Sequence, residues 1–122
     1  MNPWFISGGI LMIIVGLVHS VLGEHLIFSR LRAGGLIPTD GGSLLRERNV
    51  RILWATWHFA SVLGWAAAFI LIYAANAPVP ALIIQALAIA AAAGGVLVLV
   101  GTRGKHPGWI ALLVVALLAW YG

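Results

Sequence analysis

His19, His25, His58 and His106, together with Glu24, are the residues of this chain best equipped for chemistry. Imidazole ligates metals and haem iron, moves protons near neutral pH, and both donates and accepts hydrogen bonds. Two of the four His stand well inside apolar sequence. His19 is eleven residues from Arg30 and His58 is seven from Arg51, roughly 16 Å and 10 Å along a helix. An ionisable side chain at such depth in a membrane segment is a functional candidate by default.

Three chemistries suit the set. In the first, His19 and His58 hold a b-type haem as two neutral imidazoles. Gly16, Ser20 and Gly23 leave room for a flat macrocycle beside His19, and Trp54 lies one turn from His58. In the second, His19, His25, His58, His106 and Glu24 supply a transition-metal centre, with donors that suit Zn, Fe or Mn. No Glu-x-x-His or His-x-x-x-His pair makes two ligands converge from one helix. In the third, a His with Trp54 and Trp57 hydrogen-bonds a quinone or passes a proton.

Each residue also has a plainer use. Gly9, Gly16 and Gly23 recur every seven residues, a spacing that lets a neighbouring helix approach the backbone. His19 then bonds a neighbouring carbonyl or a Ser or Thr hydroxyl. Glu24 forms a salt bridge with one of Arg30, Arg32, Arg46, Arg48 or Arg51. His106 reads as a solvated loop residue.

The elements that position these groups are apolar runs. The 122 residues are 62% hydrophobic and 8% charged, too little charge for the surface of a soluble domain. The expectation is one all-α integral membrane domain: four transmembrane helices in an antiparallel up-down bundle, over about residues 4–28, 52–75, 79–101 and 109–121. The inner loop is 29–51, broken by Gly34, Gly35, Pro38, Gly41 and Gly42. Ser43 is the expected N-cap of the second helix, and Glu47 and Arg51 form an i, i+4 pair. The last run is short for a bilayer crossing, so it starts at Pro107, thins the bilayer or leans on a partner. No cleavable signal segment is expected at the N-terminus.

All seven Lys and Arg lie in 30–51 or 102–108. Both loops are therefore expected on the cytoplasmic side of a bacterial inner (plasma) membrane, with both termini and the Asn76-Ala77-Pro78 turn outside. The net charge of +4 suits anionic membrane lipids. It does not suit nucleic acid, since no basic patch occupies a separate domain. The absence of Cys excludes disulfides, thiolate metal sites and covalent haem attachment.

Met1-Asn2-Pro3-Trp4 with Gly8-Gly9 resembles the start of small multidrug resistance transporters. That family carries a defining carboxylate on its first helix, which would fall near Ile14, so the resemblance does not extend to cation exchange. His19-Ser20, Gly23-Glu24, Arg51, Trp57-His58 and Arg103-Gly104-Lys105-His106-Pro107 span most of the chain. Together they resemble a group of small four-helix bacterial integral membrane proteins with no established activity. The resemblance implies a natural four-helix membrane protein and no particular chemistry. The functional expectation is a haem- or metal-binding membrane protein using His19 and His58. The alternative is a structural or accessory subunit of a membrane complex, or a homo-oligomer.

Overall fold

A computed structural model describes residues 1–122 and is all-helical. The helices are α1 (Pro3–Leu26), α2 (Glu47–Ala74), α3 (Ala81–Gly101) and α4 (Gly108–Tyr121). A 3₁₀ turn, Phe28–Leu31, follows α1. The first three helices, of 24, 28 and 21 residues, are long and apolar enough to cross a membrane. α4 has 14 residues, short of the ~20 that a crossing needs.

The helix ends follow local chemistry. Asn2 caps α1, its Oδ1 accepting the Trp4 and Phe5 N–H groups at 3.0 and 3.4 Å, with Pro3 at the first position, where no N–H is needed. At the other end the Ser29 hydroxyl donates to the His25 carbonyl at 2.8 Å, satisfying an orphaned acceptor of the last turn. α3 closes in a Schellman arrangement. Gly104 N–H reaches Leu99 O at 2.8 Å and Arg103 N–H reaches Val100 O at 3.2 Å, which puts Arg103 in the left-handed region at φ +52°.

Ser43 does not cap α2, which begins at Glu47. Gly42 adopts φ +62° and donates to the Asp40 carboxylate at 2.9 Å. Gly41 bridges to Leu45 across a tight turn that contains Ser43. The Asp40 carboxylate thus draws the chain into a turn before a helix can start. The Glu47–Arg51 pair forms as its spacing predicts, with nitrogen to oxygen at 2.7 Å.

The chain divides into two compact units. One comprises residues 1–15 and 64–122. Its core is Leu71 of α2, Ile84, Ala88 and Ala91 of α3, and Val115, Ala116 and Ala119 of α4. Small residues let its helices meet closely. A Cβ at Gly9 would lie 2.6 Å from Ile72 Cγ1 and 3.0 Å from the Ala68 carbonyl. At Gly95 it would meet Leu113 at 3.0 Å.

The other unit is residues 16–63: the second half of α1, the 3₁₀ turn, the loop and the first half of α2. The loop folds back through Thr39 and Asp40, whose N–H groups donate to Leu31 O at 3.0 and 2.9 Å. Phe28, Pro38 and Val50 are buried within it.

Candidate functional site

The polar and aromatic residues of interest gather in the 16–63 unit, where α1 and α2 run in opposite directions. Ser20 meets Ser61, and one turn further along α1, Glu24 meets Trp54 and His58. His58 is the hub. Its Nδ1 is 2.9 Å from Ser20 Oγ and its Nε2 is 3.4 Å from Glu24 Oε2. The Ser20 and Ser61 hydroxyls hydrogen-bond at 2.7 Å, and Ser61 is buried. Trp54 lies edge-on to the His58 ring at 5.2 Å, and Phe28 lies tilted to it at 6.0 Å.

Glu24 is held from three sides. Trp54 Nε1–H donates to Oε2 at 3.2 Å, His58 faces the same oxygen, and the Arg32 guanidinium pairs with the enclosed Oε1. Arg32 is itself fixed, with Nε–H donating to Leu36 O at 2.8 Å. Of the five loop arginines offered by the sequence, Arg32 is the one that the folded-back loop delivers to Glu24. The adjacent His25 is exposed, so the two neighbours point apart as a helix requires.

His19 has a separate set of contacts. Its ring stacks on Trp57 at 4.4 Å with 7° between planes. Its Nε2 is 3.2 Å from the Trp57 carbonyl, and Trp57 Nε1–H donates to the His19 carbonyl at 2.9 Å. This reciprocal clasp uses the carbonyl partner that the plainer reading of His19 anticipates. It also accounts for Gly23, where a Cβ would overlap the Trp57 indole. The room beside Gly23 is filled by protein, not left for a macrocycle. Gly16 is likewise buried.

Several expected groupings do not form. No three of His19, His25, His58, His106 and Glu24 converge into a metal-holding group. Haem ligation through both Nε2 atoms would have to displace the Trp57 carbonyl from His19 and Glu24 from His58. Trp54 and Trp57 already spend their N–H groups on Glu24 and His19, so neither is set to donate to a quinone oxygen. His106 caps α4: its Nδ1 accepts the Gly108 N–H at 3.1 Å.

Three participants were not singled out from the sequence: Ser61, Ser29 and Phe28. Ser61 had a readable signal, since Trp54, His58 and Ser61 follow at i, i+4 and i+7 on one face of α2. Ser20, Val21, Glu24, His25, Ser29 and His58 line a shallow cleft of ≈ 460 Å³, within the size range of small-molecule sites.

No protein-family model, curated protein or solved structure matches the chain.

Proposed function

We propose that the chain is an integral membrane protein whose 16–63 unit binds a neutral, hydrogen-bonding lipid. In this reading the four helices cross as an antiparallel up-down bundle, with α4 relying on local bilayer thinning or a partner. The basic loops face the cytoplasm of a bacterial inner membrane and both termini face outward. The support is the apolar exterior, with Phe69, Leu82 and Leu97 at least 70% exposed, and the confinement of Lys and Arg to two loops.

One observation carries the ligand reading. Ser20, Glu24, His25, Ser29 and His58 share a cleft wall with the apolar Val21, while Arg32 balances the charge of Glu24. A cleft with hydroxyl and imidazole groups and a neutralised carboxylate suits a carbonyl or hydroxyl headgroup more than a free ion. A photoactivatable monoacylglycerol in proteoliposomes tests this. Cross-links should concentrate on 20–29, and Val21→Trp, which fills the cleft, should reduce them several-fold. An even spread over the apolar faces of α2 and α3 would refute it.

A second reading is favoured by the His19–Trp57 clasp: a structural or accessory subunit in which the polar contacts fasten helices. On that reading His19→Ala lowers stability or assembly and the cleft stays unused. Haem or metal held by His19 and His58 is tested by absorbance in the Soret region and by elemental analysis of the purified protein. A stoichiometric cofactor would replace the lipid reading.

A further inference from the structure

Three hydroxyls of this chain share one resting place. Ser29, Thr56 and Thr102 bond the carbonyl four residues back, at 2.8, 2.8 and 2.7 Å, the usual resting place of a helical hydroxyl. Ser20 does not. Its Oγ is held 2.9 Å from His58 Nδ1 and 2.7 Å from Ser61 Oγ, at the wall of the cleft. A hydroxyl beside an imidazole, with that imidazole oriented by a carboxylate, is the arrangement that activates a nucleophile.

Proton positions follow from the partners. Glu24, paired as a carboxylate with Arg32, can only accept. A neutral His58 with its proton on Nε2, towards Glu24 3.4 Å away, offers the Nδ1 lone pair to Ser20. With Ser20 turned to donate to His58, the hydrogen of the 2.7 Å Ser20–Ser61 bond comes from Ser61; with Ser20 turned to Ser61, it is Ser20 that donates.

We propose that Ser20 is a nucleophile, and that the 16–63 unit transfers the acyl group of an ester-bearing lipid to water. The proposal rests on the lipid reading and specifies its chemistry. Ser20 Oγ attacks the ester carbonyl carbon as its proton passes to His58 Nδ1. The carbon–oxygen bond to the alcohol then breaks, and His58 returns the proton to the departing alkoxide. Water, deprotonated by the same nitrogen, attacks the acyl-serine; the acyl carbon–Oγ bond breaks, His58 returns the proton to Ser20 Oγ, and the carboxylic acid leaves. No oxidant or reductant is needed. Glu24 stabilises the imidazolium formed in each half, and Trp54 and Arg32 hold Glu24 in place. The Ser61 hydroxyl, buried behind Ser20, holds the Ser20 Oγ in place.

A long-chain alkyl fluorophosphonate tests the nucleophile on the intact chain in mild detergent. Attack by a serine forms an oxygen–phosphorus bond and expels fluoride. Peptide mass spectrometry should place the label on Ser20, approaching one per chain. His58→Gln, which keeps a polar side chain of similar size, should slow labelling about a hundredfold or more. Ser43→Ala, in the loop turn, should leave it unchanged. Release of the chromophore from a medium-chain p-nitrophenyl ester should vanish in Ser20→Ala.

No label on Ser20, in protein that still cross-links the lipid probe at 20–29, would overturn the nucleophile and leave the lipid reading intact. Labelling indifferent to His58→Gln would also overturn it. Labelling at Ser20 without lipid cross-linking would uphold the nucleophile and refute the lipid as its ligand.

Discussion

α1 and α2 contact each other in both units of the molecule, by different means. In the unit of residues 1–15 and 64–122 they meet mainly through absent side chains, with Gly9 against Ala68 and Ile72, and through one hydrogen bond, Trp65 Nε1–H to the Ile13 carbonyl at 3.3 Å. In the 16–63 unit they meet through Ser20–Ser61, Glu24–Trp54, Glu24–His58 and the His19–Trp57 clasp. Between helices in lipid, apolar contact brings little hydrophobic gain, so close backbone approach is a sufficient fastener. Polar groups are costly there unless each finds a partner. In the proposed lipid-binding reading, the cleft into which the polar half opens gives these groups a use beyond fastening.

The contrast can be broken at single residues, and unfolding followed by circular dichroism in mixed micelles reads the effects. Gly23→Ala should be the most damaging, costing about 3 kcal/mol. The new Cβ overlaps the Trp57 indole and opens both clasp hydrogen bonds. Arg32→Ala should cost about 1–2 kcal/mol, between the values for exposed and buried pairs, because it strips Glu24 of its counter-charge. In the other unit, Gly95→Ala should cost about 1–2 kcal/mol, since the Leu113 side chain that it meets can yield and the Trp109 carbonyl, at 3.2 Å, needs to give by only a few tenths of an ångström. A loss at Gly95 equal to that at Gly23 would erase the distinction between the two kinds of contact. Smallest of all, Arg103→Gly should stabilise by about 0.5–1 kcal/mol, relieving a left-handed residue that glycine adopts freely.

The sequence made the scaffold legible and the partnerships only partly so. Apolar length marks the helices to within a few residues, except where Asp40 and Gly42 make a turn and delay α2 to Glu47. The need of Glu24 for an arginine was readable, but the choice of Arg32 depends on how the loop returns to Leu31. The notch at Gly23 was visible as a periodicity. Its occupant was not, because one helix's spacing does not say which residue of another enters the gap. Trp57 enters, and the room expected for a cofactor becomes an aromatic clasp. Ser20 and His58 were both noted from the sequence, but their contact depends on the register between α1 and α2.

The account turns on how His58 carries its proton between Ser20 and Glu24. Nitrogen NMR of histidine-labelled protein in alkaline buffer, with His58 assigned by its loss in His58→Gln, reads this directly. The prediction is a proton on Nε2 and an unprotonated, hydrogen-bonded Nδ1, with Glu24→Gln perturbing the Nε2 signal. A proton fixed on Nδ1, with Nε2 bare and indifferent to Glu24, would contradict it.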